Sequence, residues 1–275
     1  MPEPFPIIEV PLNAYELSEN EPIGSKYKFW FHDKTLGRCI YKQATDNTGE
    51  DWTEKIAAEL CTFLELPHAQ YELAIFNEKR GTISPTFVPK DGSLITGNVI
   101  LARSIPNYPT EQHYGVSQHT IDNIFNAIGD PLISLPINWK APEGISNAID
   151  SFVGYLLLDA WIGNSDRHHE NWAFISLGDK THLAPTYDHG SCLGRNETDD
   201  KRRNRLISKD RGFSVQAYVE KCNSALYAKV GDKKTLKTFG AFREVYQRYP
   251  DAANVWSNNL ARVSSNDTLE AIYKV

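Results

Sequence analysis

The chain has 275 residues, 41% of them hydrophobic and 23% charged, with 6 Trp, 13 Tyr and 12 Phe, enough for one large domain or two lobes that share a cleft. A formal charge of −6 and a pI near 5.8 argue against broad electrostatic binding to nucleic acid or to an anionic membrane surface. No apolar run reaches the ~20 residues of a membrane span, the N-terminus has no signal-peptide pattern, and Cys39, Cys61, Cys192 and Cys222 match no C-x-x-C or zinc spacing, so a cytoplasmic protein with free thiols is expected. Export by a route that needs no such signal is compatible with the same sequence.

Strand signals fill the first hundred residues. Lys26 to His32 is aromatic and partly alternating, and Arg38 to Lys42 follows after a hairpin loop at 33–37. A helix is predicted from Trp52 to Glu65, with Ile56, Ala57, Leu60, Phe63 and Leu64 at helical spacing. Tyr71 to Phe76, Thr82 to Val88 and Asn98 to Ala102 read as further strands. The rest is helical, with helices predicted over Thr120 to Ile128, Ile149 to Ile162, Val215 to Tyr227, Thr235 to Tyr249 and Ala252 to Val263. Trp172 to Ser176 and His182 to Thr186 suit a small hairpin, and a long polar stretch runs from Asn196 to Arg211. The pattern is an α+β chain: a strand-rich N-terminal lobe over residues 1–100, a helical C-terminal lobe over 101–275, and a ligand cleft between them.

The segment with most chemistry is Asp159 to Trp172. An apolar helix stops at Gly163, and polar residues including Asp166, Arg167, His168, His169, Glu170 and Asn171 follow before the next apolar strand. Polar groups so close to a core must be paired, solvated or functional. Asp188 ends another apolar segment downstream, after Pro185-Thr186-Tyr187. Phosphoryl transfer needs a carboxylate to take the proton of an attacking hydroxyl, and hard oxygen ligands to hold Mg²⁺ against the phosphates. In kinases the base precedes a metal-binding Asn by five positions, and a metal-binding Asp follows on a later strand. Asp166, Asn171 and Asp188 have that spacing. Lys42 ends a strand just before the prominent helix, where a kinase places the lysine that binds phosphates. Its carboxylate partner is Glu54 or Glu59, which periodicity alone does not separate, and Asp51 with Glu54 also fits a helix capping box.

The motifs Asp166-Arg167-His168-His169-Glu170-Asn171 and Pro185-Thr186-Tyr187-Asp188 resemble those of the HipA-like serine/threonine kinases, in a short stand-alone form. The resemblance implies a two-lobed protein-kinase-like fold that uses ATP and Mg²⁺. It makes Asp166 the base, Asn171 and Asp188 the magnesium ligands, and Lys42 with Glu54 the phosphate-binding pair. It also implies a phosphate loop at Gly24 and Ser25, with Ser25 open to autophosphorylation, and a connector at Gly97 to Ala102 that packs Ile100 and Leu101 near adenine. His168 falls within the nucleotide site, where bracing the loop by hydrogen bonds is the expected role. The partners implied are a protein substrate and an antitoxin or regulatory chain, which would supply the N-terminal portion of longer members.

Two rival functions fit parts of the same pattern. A metal-dependent phosphoesterase would use Asp166, His168, His169, Asp188 and His189 as ligands, but it leaves Lys42 and Asn171 idle. A catalytically silent kinase fold that binds a partner would not need Lys42, Asp166, Asn171 and Asp188 together. The basic run Lys201 to Arg205 reads as solvated surface, with substrate contact the minority reading.

Overall fold

The computed structural model describes residues 2–16 and 27–275. In chain order the elements are β1 (Ile7–Glu9), α1 (Asn13–Glu16), β2 (Lys28–Asp33), β3 (Gly37–Gln43), α2 (Glu50–Phe63), β4 (Glu72–Phe76), β5 (Lys79–Pro85), β6 (Gly92–Thr96) and α3 (Gly97–Ser104). They continue with α4 (Ile121–Ile128), β7 (Ile133–Ser134), α5 (Ala148–Ile162), β8 (Ala173–Leu177), β9 (Lys180–Leu183), α6 (Asp199–Ile207), α7 (Val215–Lys221), α8 (Thr238–Arg248), α9 (Pro250–Arg262) and α10 (Ser265–Tyr273).

The first sheet has the order β1-β4-β5-β3-β2. Its hairpin turns where the Asp33 carboxylate accepts the backbone N–H groups of Thr35 and Leu36, both at 2.8 Å. Alternation along β2 and β3 sends Phe29, Phe31, Cys39 and Tyr41 to one face, where they meet Phe76 and Ile83 in an aromatic cluster. Lys42 therefore projects from the opposite face. The second sheet has the order β6-β8-β9-β7 and is antiparallel across β6, β8 and β9. β5 lies in the first sheet and β6 in the second, so the chain crosses between them over residues 86–91.

α5 is apolar on nearly every side, which is why it lies at the centre, packed by α8, α9 and α4. The main core gathers Phe152, Leu156, Trp172, Phe242 and Trp256 with Ile56, Leu60 and Leu64 of α2, so α2 belongs to the core of the helical half. All four cysteines are free thiols. Among the described residues no helix is long and apolar enough to cross a membrane.

Three expectations are corrected. Asn98 to Ala102 is part of helix α3 and not a strand, because Thr96 turns the chain in extended geometry just before Gly97. Ile100 and Leu101 are buried in the main core as part of that helix. The helix predicted over Val215 to Tyr227 ends at Lys221, since Ser224, Leu226 and Tyr227 exchange backbone hydrogen bonds with Leu236 and His119 instead. The polar stretch from Asn196 holds α6, capped by the Thr198 hydroxyl. Gly24 and Ser25 lie outside the described residues.

Gly154 lets α5 approach its neighbours: a Cβ there would stand 2.6 Å from the Trp256 ring and 2.7 Å from Leu66. Gly154→Ala should therefore destabilise the fold by about 1–3 kcal/mol, the usual cost of overpacking, despite alanine's better helix propensity. Urea unfolding monitored by tryptophan fluorescence measures it, and a variant as stable as wild type would contradict the packing.

Candidate active site

The site forms where β3, α2 and two loops of the helical half converge. Lys42 Nζ lies 2.5 Å from Asp188 Oδ1 and 3.3 Å from Glu54 Oε1. Burial works against its charge, and Asp188 followed by Glu54 more than offsets this, holding the amine protonated. Glu54 is fully buried, and its second oxygen accepts the His189 backbone N–H at 2.7 Å. Burial pushes its carboxyl up, against the pull of Lys42. The capping-box geometry is not adopted: Gly49 stands at the N-cap, and Asp51 pairs with Arg80 at 2.6 Å. Glu59 pairs with Lys55 at 2.8 Å.

Asp188 sits at φ 57°, a left-handed conformation that Asp tolerates better than most residues. Its N–H donates to the Tyr71 hydroxyl at 3.0 Å, while Thr186 exchanges backbone bonds with Pro67 and Ala69. The segment after β9 that delivers Asp188 is thus stitched to the segment before β4.

The loop carrying Asp166 starts at Gly163, whose φ of 65° ends α5 with its N–H on the Asp159 carbonyl. Arg167 is fully buried and forks onto Asp159 at 2.8 and 2.7 Å, with its remaining nitrogen on the Asn171 carbonyl at 2.9 Å. Burial opposes the guanidinium charge and Asp159 overcomes it. Asn171 Nδ2 donates to the Asp166 carbonyl at 2.7 Å, which ties the two ends of the motif and turns the amide oxygen of Asn171 the other way. His168 accepts the Glu170 N–H on Nδ1 at 3.2 Å, and its Nε2 is 3.8 Å from Asp166 Oδ1. Its polar contacts lie within the loop.

Asp166 has a companion that the sequence pattern does not reveal. Ser191 Oγ donates to Asp166 Oδ2 at 3.2 Å and accepts from Arg195 Nη2 at 3.1 Å. Arg195 also pairs with Glu50, one turn ahead of Glu54 on α2. Arg167 and Asp159 were equally hidden. The one available signal was an acid in an otherwise apolar helix end. The N-terminus of α3 closes onto this loop, with Gly97 N–H on the Trp172 carbonyl and Asn98 N–H on the His169 carbonyl, both at 2.9 Å. In the basic run, Arg205 pairs with Glu197 at 2.6 Å, and Arg202 bonds the Gly194 carbonyl and lies over Trp52.

The structure of the proinflammatory kinase CtkA from Helicobacter pylori aligns with 98% of this chain and 87% of its own, at a TM-score of 0.68 and 17% identity. The chain has a CtkA-like kinase fold. HipA of Shewanella oneidensis MR-1, in a toxin–antitoxin complex with HipB and operator DNA, aligns more loosely: TM-score 0.43, 13% identity, 93% of this chain and 62% of that one. Fam20 from hydra, solved with sugar, aligns at TM-score 0.34 and 12% identity over 90% of this chain and 88% of its own. No protein-family model and no curated protein matches the sequence. In this CtkA-like fold the helix α2 brings Glu54 to Lys42, and the loop after α5 brings Asp166 and Asn171 to the same side as Asp188.

Two predictions follow from the buried charges and rings. Asp159→Asn leaves Arg167 buried without its counter-charge and should cost about 3–5 kcal/mol in chemical denaturation. Four histidines are also pushed down, first by burial: His119 to about 3, His169 to about 4, His189 well below the ordinary 6.5 and His68 below it. His119 is held neutral by geometry, with Trp172 Nε1–H donating to Nε2 at 3.1 Å and Nδ1 on the Ala225 carbonyl at 3.2 Å. Below pH ~6.5 the unfolded chain binds protons that the folded chain refuses. Stability is therefore full above that pH and should fall as pH drops, by about 1.4 kcal/mol per unit for each such group. Urea midpoints between pH 7 and 4 (roughly the span between ordinary and shifted values) should show the slope, and His119→Gln should flatten it. An equal slope in that variant would place the titration elsewhere.

Proposed function

We propose that the chain is an ATP- and Mg²⁺-dependent serine/threonine protein kinase. The observation that carries this reading is the Lys42 ammonium, held between the carboxylates of Glu54 and Asp188 beside the loop in which Asn171 is tied to Asp166. A structural turn would not need a half-buried lysine with two acids, and a phosphoesterase would not use it. The phosphoesterase reading also asks His169 and His189 to be ligands, yet each ring is 1% exposed and closed into the core, with one nitrogen on Tyr108 and Thr186 respectively.

Each residue then has a task. Lys42 binds the α and β phosphates of ATP, and Glu54 keeps its ammonium in place. Asn171 and Asp188 offer the two hard oxygen donors suited to Mg²⁺: the amide oxygen is turned away from the Asp166 carbonyl, and the Asp188 side chain is 38% exposed. The ion, when bound, neutralises the phosphate charge. Asp166 accepts the proton of a substrate serine or threonine hydroxyl as the new O–P bond forms and the bond to the β-phosphate oxygen breaks, releasing ADP. Ser191 holds one oxygen of Asp166 and so fixes the orientation of the base. The crossing segment at 86–91 is placed to supply the adenine side, since the Phe87 ring packs against that of Tyr187, the residue before Asp188, at 5.5 Å and a tilt of 31°. A protein substrate, an antitoxin or regulatory partner chain, action as a toxin or effector, autophosphorylation at Ser25 and a cytoplasmic location belong to the same proposal, on the HipA-like motif resemblance.

The test is labelled ATP with cell lysate and with the protein alone, comparing wild type with Asp166→Ala, followed by phosphosite mapping. Wild type should transfer phosphate and the variant should not. Asp188→Asn should abolish transfer and leave the melting temperature near that of wild type. Wild type should melt higher with ATP and Mg²⁺ than with ATP alone, because ligand bound to the folded state raises apparent stability; equal shifts would remove Asn171 and Asp188 as metal ligands. Lys42→Ala and Glu54→Gln should each cut turnover severely, and the double variant should be little worse than either. Additive losses would show that the two do not act as a pair.

A further inference from the structure

The segment between α3 and α4 crosses the loop that carries Asp166 and touches three consecutive residues of it. The Tyr108 hydroxyl meets His169 Nδ1 at 2.9 Å, His113 Nδ1 meets Glu170 Oε2 at 2.6 Å, and the Tyr114 ring stands edge-on to that of His168 at 5.7 Å. A fourth tie runs from Asn98 Nδ2, at the start of α3, to the Thr110 carbonyl at 3.1 Å. Left-handed backbone bounds the segment on both sides, with Asn107 at φ 57° and Gly115 at φ 75°. Residues 108–114 thus form a strap over one side of the loop.

The side they cover is the one from which an acceptor must approach. Ser191 Oγ holds one oxygen of Asp166, Oδ2. The other, Oδ1, faces His168, whose Nε2 is 3.8 Å away. Tyr114 packs on that same histidine and shares a cavity wall with it and with Ser165, the residue before the base. Its phenol is pushed up by burial and then by the charge and hydrogen bonding of the Asp166 carboxylate. A phenolic O–H beside this carboxylate offers the same donor that a substrate serine or threonine would bring to it.

The two ends of the strap are held very differently. Tyr108 is 7% exposed and its hydroxyl pairs with the buried His169, so lifting it would leave a buried ring nitrogen unpaired. Tyr114 is 67% exposed, so moving it uncovers little apolar surface. The nearest tie, His113 to Glu170, is partly exposed on both sides, and such pairs are weak in water. Gly115 follows directly, and glycine takes φ of either sign without a Cβ penalty. Opening is thereby confined to the tip.

We propose that Tyr114 is an autoinhibitory placeholder: its hydroxyl occupies the acceptor position at Asp166, and a protein substrate enters by swinging the tip of the strap aside about Gly115. The inference rests on the kinase reading and adds to it a regulatory step at the same site. The test is steady-state phosphorylation of a peptide pool with a central serine, alongside ATP hydrolysis, in wild type, Tyr114→Phe and Tyr114→Ala. Peptide kcat/KM should rise in both variants, by about tenfold for one hydrogen bond to a charged group. The KM for ATP should stay near that of wild type, because the change leaves Lys42, Glu54, Asn171 and Asp188 in place. His113→Ala, which frees the tip, should act in the same direction. Unchanged or lower peptide kcat/KM in Tyr114→Ala would overturn the inference while the kinase reading stands. The contact is also read without turnover: the phenolate absorbance that Tyr114→Phe removes should titrate at lower pH in an Asp166→Asn background, and an unmoved titration would overturn the inference too. If neither wild type nor any Tyr114 variant transfers phosphate or hydrolyses ATP, the kinase reading falls and the inference with it.

Discussion

One buried carboxylate joins the parts of the site. Glu54 has two oxygens, and each holds a different segment: Lys42 on the neighbouring strand β3 and the backbone N–H of His189, 135 positions on and just after Asp188. Because the group is buried, neither contact can be exchanged for water without leaving a charge unpaired. The separation of Lys42 from Asp188 is thereby set by a third residue on a helix. That helix, α2, is itself packed into the core of the helical half through Ile56, Leu60 and Leu64. The core consequently decides whether Lys42 meets its acids.

The second constraint is the Arg167–Asp159 pair, fully buried at the end of α5. It fixes the shape of the loop from within, since the third nitrogen of Arg167 holds the Asn171 carbonyl. Asp166 is then oriented from outside by Ser191, which Arg195 connects to Glu50 on α2. Glu50 and Glu54 are one turn apart on one helix. The same element supports Lys42 directly and Asp166 through Ser191, so a displacement of α2 would disturb both.

Much of this was legible in the chain. The hairpin around Asp33, the helix after it and the apolar helix ending at Gly163 follow from alternation, 3.6-residue periodicity and a glycine stop, which are local properties. The five-residue spacing of Asp166 and Asn171 lies within one loop and is equally local. Asn98 to Ala102 was misread because a short apolar run has the same composition in a strand and in a buried helix. What separated them was the docking of the Gly97 and Asn98 N–H groups onto the Trp172 and His169 carbonyls, more than seventy positions away.

The sequence by itself determined the residue types and their order: a lysine at a strand end, an acid in each of two loops, an amide five positions after the first. Composition and spacing carry this because it depends on neighbours along the chain. Only the tertiary structure decided between Glu54 and Glu59, assigned Asp159 to Arg167, and brought Ser191 to Asp166. The reason is physical: burial and pairing of charges are properties of three-dimensional neighbours, and residues equal in local pattern, such as Glu54 and Glu59, differ only in what the fold sets opposite them.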